Sequence, residues 1–172
     1  MSDKTASEAD PISFGAKLAS SQAFSLLFRE GMALVEETAT YLDGPGRQES
    51  KALERSAALA YATESMRLTT RLMQLASWLL LHRAVNEGEM SLAQANKEKT
   101  KVKLSATDTA EADTMRLLPA QLQDLIDRSF KLQIRVRRLD STIHTAGTPE
   151  PSANPVEHQM NMLKAAFEQD RV

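Results

Sequence analysis

The 172-residue sequence contains no cysteine, so it has no disulfide framework, thiolate nucleophile or cysteine-based metal site. That fits a reducing cytosol, and some exported bacterial proteins share it. Aromatic residues reach only 5%, and valine and isoleucine are sparse beside alanine, leucine, glutamate, lysine, arginine, methionine and glutamine. Such a balance argues against sheets and for helices. Charge of one sign is not in excess: 21 basic residues face 23 acidic ones, a formal net charge of −2. No global field therefore draws the molecule to DNA or to an anionic membrane, and a charge-driven partner must use a local patch. Long apolar runs are missing too. The strongest, residues 72–81, is interrupted by Gln74 and Ser77 and flanked by Arg71 and His82. A bilayer needs about 20 apolar residues, so this run is expected to be a buried helix segment. Residues 1–11 are polar and acidic, without the basic-then-apolar order of an export signal, and the chain is expected to stay in the cytoplasm.

With 42% hydrophobic residues, the length suffices for one domain with its own core. The pattern predicts an all-α three-helix bundle over residues 12–144, preceded by a disordered tail over 1–11 and followed by a flexible tail over 145–172. Ser20 and Ser21 offer N-caps to a first helix carrying Phe24, Leu27, Phe28, Gly31, Val35 and Leu42 at helical spacing. Asp43-Gly44-Pro45-Gly46 stops it. Gly31 lies on the apolar stripe, where a missing side chain lets a neighbouring helix come close.

A second, long central helix is expected from Glu49 or Ser50 to about Glu87, because neither proline nor glycine intervenes before Gly88. From Leu72 onward its apolar residues point in every direction, so it needs cover on all sides. Residues 90–118 are expected to be a flexible connection, although Ser91 to Ala95 could cap a short helix. The third helix has the clearest period: Leu118, Leu122, Leu125, Ser129, Leu132, Val136, Leu139 and Ile143 form a heptad-like seam. Ile126, Phe130 and Ile134 form a second row beside it, so this helix is expected to touch two neighbours. Residues 145–155 turn to glycine, proline, serine, threonine and asparagine, the composition of a linker. Met160, Leu163 and Phe167 then recur at spacings of three and four, as in a short amphipathic helix that docks on its own bundle or captures a partner.

Nothing in the sequence gathers an active site. His82, His144 and His158 are scattered and no phosphate-binding glycine loop is present, so neither enzyme chemistry nor a metal or cofactor is expected. His82 reads as structural. Glu64, Arg67 and Arg71 share one side of the long helix, and an ion-pair cluster that fixes helix register is preferred there to a partner site. Trp78, Leu81 and Val85 fall on a different face from Leu72, Ala76 and Leu79, which makes them candidates for a homodimer interface, the alternative being burial under the flexible connection. On the third helix Arg128, Lys131, Arg135 and Arg138 share a sector with no acid between positions 128 and 138. That sector is either a solvated face, with ordinary Asp124–Arg128 and Asp127–Lys131 helix pairs, or a docking site for an acidic partner. Together with lysines 97, 99, 101 and 103 it also suggests, as the alternative function, a nucleic-acid-binding regulatory protein, but no aromatic interleaving or DNA-reading motif accompanies it.

Several stretches carry a family resemblance. They include Ile12-Ser13-Phe14-Gly15, Leu27-Phe28-Arg29-Glu30-Gly31-Met32, Tyr41-Leu42-Asp43-Gly44 and the long block from Glu64 to Leu81 centred on Thr70-Arg71-Leu72-Met73-Gln74-Leu75-Ala76-Ser77-Trp78. With Leu125-Ile126-Asp127-Arg128-Ser129 and Arg135-Val136-Arg137-Arg138-Leu139-Asp140 added, residues 12–140 resemble the regulators of CtrA degradation, RcdA, of alphaproteobacteria. The resemblance implies a dimerising three-helix bundle with a flexible tail. It also implies a non-enzymatic adaptor that joins a ClpXP protease primed by CpdR, works with a PopA-type adaptor, and helps deliver cell-cycle regulators such as CtrA. Concentration at a cell pole is implied as well. The candidate contacts, Arg128, Lys131, Arg135 and Arg138 for an acidic partner and Met160, Leu163 and Phe167 for a second one, are read from this sequence and not carried over from the family.

Overall fold

A computed structural model describes residues 22–99 and 112–147. The described chain is all-α, built on three long helices: α1 (Gln22–Asp43), α3 (Arg55–Asn86) and α6 (Ala120–Gly147). Three short helices join them: α2 (Pro45–Ala52), α4 (Leu92–Lys99) and α5 (Ala112–Arg116).

In α1 the buried positions Phe24, Leu27, Gly31, Leu34, Thr38 and Tyr41 follow steps of three and four, a single stripe turned to the core. The helix ends where the Gly44 amide donates back to Thr40 O at 3.0 Å. The turn does not open into a loop as the glycines predict. Pro45 stands in the first turn of α2, where its missing N–H and fixed φ suit a helix start. The expected start of the central helix near Glu49 is corrected accordingly: α2 already covers that stretch, extended backbone at Leu53 and Glu54 breaks the chain, and α3 begins at Arg55.

Helix α3 has 32 residues, so it is about 48 Å long. Gly88, with φ +75°, follows its end in the left-handed conformation that glycine adopts without strain. The connection beyond is more ordered than expected. Ser91 and Gln94 form a reciprocal capping box at the start of α4: the Gln94 amide donates to Ser91 Oγ at 3.2 Å, and the Ser91 amide donates to Gln94 Oε1 at 3.0 Å. Ala95 of α4 is buried.

The predicted seam of α6 lies inward: Leu118, Leu122, Leu125, Ser129, Leu132, Val136 and Ile143 are all buried. Of the second row, Ile126 is buried, Phe130 is half-buried and Ile134 is exposed. Helix α6 continues to Gly147, past the tail boundary expected at residue 145.

Side-chain contacts give the directions. Glu37 meets Arg128 and Glu30 meets Arg135, so α1 and α6 are antiparallel. Arg71 meets Ser129 and Trp78 meets Asp140, so α3 and α6 run the same way. At the crossing of the long helices, a Cβ on Gly31 would sit 2.5 Å from Leu79 Cδ1 and 3.5 Å from Leu132 Cδ2, which is the close approach its position on the stripe predicted.

Candidate interaction surfaces

The candidate ion-pair cluster divides in two. Arg67 Nη1 donates to Glu64 Oε1 at 2.8 Å across one helical turn, with the Glu64 side chain buried and that of Arg67 44% exposed. Arg71 turns into the core. Its Nη1 donates to Ser129 Oγ at 2.7 Å, Ser129 Oγ donates to Ile126 O at 2.6 Å, and the guanidinium carbon lies 3.6 Å from the Phe130 ring centroid. Burial pulls the Arg71 pKa down and the nearby Glu64 carboxylate opposes that shift. Ser129 stands on the apolar seam of α6 because it is the partner for this buried cation, a need that the heptad pattern alone does not reveal.

Trp78 is not part of a free surface. It is 1% exposed, its ring lies 6.3 Å from that of Phe24 and 4.0 Å from that of His82, and its Nε1 donates to Asp140 Oδ1 at 2.8 Å. Lys99 Nζ from α4 donates to Asp140 Oδ2 at 2.6 Å, so one carboxylate joins α3, α4 and α6. Leu81 and Val85 are half-buried. Trp78 is therefore corrected as a member of a homodimer face: the indole is covered within the monomer, with α4 placed beside it through Lys99 and Asp140, as the alternative reading of burial under the connection expected.

The basic sector of α6 is largely neutralised. Arg128 Nη1 and Nη2 donate to Glu37 Oε1 and Oε2 at 2.8 and 2.7 Å, and Nη1 also reaches Asp124 at 3.3 Å. These hydrogen bonds raise the Arg128 pKa and, from the other side, hold the Glu37 carboxyl below its ordinary value against the opposing effect of burial. Arg135 Nη1 pairs with Glu30 Oε2, and Lys131 Nζ pairs with Asp127 Oδ2 at 2.6 Å. Arg138 is exposed. The helix pairs expected of a solvated face, Asp124–Arg128 and Asp127–Lys131, are thus present, and α1 supplies two further acids. Glu30 and Glu37 stand seven residues apart on α1, opposite Arg128 and Arg135 seven apart on α6, a ladder of the kind that flanks coiled-coil seams. The acids belong to another helix, so a reading of the third helix alone could not see them. Lys97 and Lys99 lie on α4, whereas lysines 101 and 103 fall outside the described residues, as do Met160, Leu163 and Phe167.

Two features were not anticipated. A groove of roughly 700 Å³ runs between α1 and the end of α3, lined by Phe24, Phe28, Met32, Arg83 and Glu87 among others. Arg83 lies over the Phe28 ring at 4.8 Å and its Nε donates to Glu87 at 2.8 Å. The second feature is a row on α3: Leu59, Met66, Met73 and Leu80 are 70, 68, 67 and 53% exposed. The signal for it was their even spacing of seven, hidden because the second half of α3 is apolar all round. Among the described residues no helix is long and apolar enough to cross a membrane, and no group of three His, Asp or Glu side chains is placed to hold a metal ion.

Residues 15–167 match the family described as a protein of unknown function, DUF1465. Among solved structures, the chain is similar to RcdA from Caulobacter crescentus, with 53% sequence identity, a TM-score of 0.61, and coverage of 74% of this chain and 96% of that one. No curated protein matches the chain.

Proposed function

The chain belongs to the DUF1465 family, that of RcdA, and on that premise we propose that it is a non-enzymatic adaptor for regulated proteolysis. In this reading it joins a ClpXP protease primed by a CpdR-type protein, works alongside a PopA-type adaptor, and helps deliver cell-cycle regulators such as CtrA. It acts in the cytoplasm, concentrated at a cell pole, and as a homodimer. The observation that carries the reading is the 53% identity to RcdA over nearly all of that protein's chain. The physical character of the molecule agrees: four large apolar side chains stand in water along one face of α3, a surface that a macromolecular partner covers. An adaptor works by raising the local concentration of substrate at the unfolding machine, which needs docking surfaces and reach and no new chemistry. Hydrolysis of ATP belongs to the protease.

The test is reconstituted degradation of a CtrA-type substrate by the primed protease. Adding this protein is expected to raise substrate turnover several-fold, and removing residues 148–172 is expected to reduce that gain while the helical signal is kept. Equal turnover with and without the protein would defeat the reading.

A further inference from the structure

Helix α1 directs two acids at α6 and keeps two charges for the other side. Glu30 and Glu37 pair with Arg135 and Arg128. The residues just before them, Arg29 and Glu36, lie about 100° round the helix. There they line the groove of roughly 700 Å³ between α1 and the end of α3. Neither has an ion-pair partner among the described residues. The floor between them is apolar: Phe24 is buried, and Phe28 and Met32 are half-buried, one side chain per turn over about 12 Å. Ser25 and Ala33 keep the α1 wall low, so another helix can lie close against it.

Arg83 is held in place at one end of this groove. Its guanidinium lies over the Phe28 ring at 4.8 Å and its Nε donates to Glu87 Oε1 at 2.8 Å. Ring and carboxylate fix the plane of the guanidinium, while its two Nη groups have no partner among the described residues. A guanidinium offers paired N–H donors to a carboxylate, and one already fixed gives up less freedom on binding. Arg29, next to Phe28 in α1, adds positive charge at this end, and Glu36 lies seven residues, about 10 Å, further along the helix. The groove is therefore positive at one end, apolar in the middle and negative at the other end.

We propose that this groove takes an amphipathic helix of a partner protein, one that carries a carboxylate and, two turns away, a cation, with apolar side chains between them. The carboxylate meets the Nη edge of Arg83, the apolar side chains lie on Phe24, Phe28 and Met32, and the cation meets Glu36. Seven residues of the partner helix rise by the same distance of about 10 Å that separates Arg29 from Glu36, so a helix lying along α1 satisfies both ends at once. An extended peptide draws its affinity from main-chain bonds to a sheet edge, and the described residues contain no strand. A segment with charge of one sign meets repulsion at one end. The inference rests on the adaptor reading only for the expectation of a protein partner; it supplies the surface and the chemistry of the segment that docks there.

The probe is a fluorescent helical peptide of about 15 residues on an alanine background, with one glutamate, leucines three and four positions after it and a lysine seven positions after it. The full chain is expected to bind it with a Kd on the order of 100 μM. Arg83→Met in the protein, which keeps its helical signal because this side chain is half exposed, is expected to weaken binding about fivefold, and so is glutamine in place of the peptide glutamate. The two changes remove the same contact, so together they are expected to cost no more than either alone. In methyl NMR spectra the Met32 signal is expected to move on titration while those of Met66 and Met73, on the outward row of α3, stay in place. No saturable binding up to about 1 mM, losses that add, or movement of the Met66 and Met73 signals in place of Met32 would each overturn the inference. Binding of dodecanoate at Met32 without binding of the peptide would overturn it too, making the groove a lipid site. Binding is read on the isolated chain, so a protein that raises substrate turnover yet binds no peptide rejects the groove alone, and one that binds peptide yet raises no turnover rejects the adaptor reading alone.

Discussion

Arg71 and Arg67 are one helical turn apart and do different work. Arg71 is 7% exposed and its guanidinium is held by Ser129 and by the Phe130 ring, so removing it empties a buried polar site and leaves the Ser129 hydroxyl without its donor. Arg71→Ala is expected to cost about 3 kcal/mol in urea unfolding. Arg67 is partly exposed and its loss is felt through Glu64, which keeps the neighbouring charge of Arg71; Arg67→Ala is expected to cost about 1 kcal/mol. A reversed order of the two would contradict the assignment of Arg71 as the core member. Trp78→Ala is expected to cost about 3–5 kcal/mol, because it opens a cavity among Phe24, His82 and Asp140. Its sequence neighbours mark Trp78 as part of a specific block, yet the carboxylate that accepts its N–H lies 62 residues away. No local pattern connects the two.

Between elements, α1 and α6 are joined by the Glu37–Arg128 and Glu30–Arg135 pairs. Both partners of Glu37–Arg128 are about 40% exposed, so solvent screening limits the pair to a contribution of less than about 1 kcal/mol. Its pH dependence has a definite sign. The Glu37 pKa is lowered by Arg128, so the stabilisation is fully present above the unfolded value of about 4.3 and is lost as pH falls through the lower folded value. Glu37→Gln is therefore expected to be slightly less stable than wild type at pH 7, by a few tenths of a kcal/mol, with the difference closing below about pH 4. Urea melts at the two pH values check this, and a gap that widens on acidification would contradict it. The helices themselves were readable, since the spacing of α6 placed its seam, and Gly31 marked the helix crossing. Helix α2 was not, because Pro45 serves equally as a stop and as a first-turn residue, and only the backbone around it distinguishes the two.

At the scale of the molecule, the outward row of α3 and the chain beyond Gly147 carry the predicted function. Met66→Arg with Met73→Arg is expected to lower adaptor-stimulated turnover, since charge placed on the exposed apolar row of α3 opposes its burial against a macromolecular partner. Turnover unchanged in a variant that keeps its helical signal would show that this row is not a docking surface.

The sequence by itself determined the helical class, the inward seam of α6 and the kinship with RcdA, because helix periodicity and shared stretches are local properties written along the chain. Tertiary structure alone decided that Trp78 is sealed and bonded to Asp140, that Glu37 and Glu30 pair with Arg128 and Arg135, and that Leu59, Met66, Met73 and Leu80 are left uncovered on α3. The physical reason is the same in each case. A helix that is apolar all round, or basic along one side, has several faces of nearly equal claim, and which one meets water depends on what residues 58 to 105 positions away bring against it.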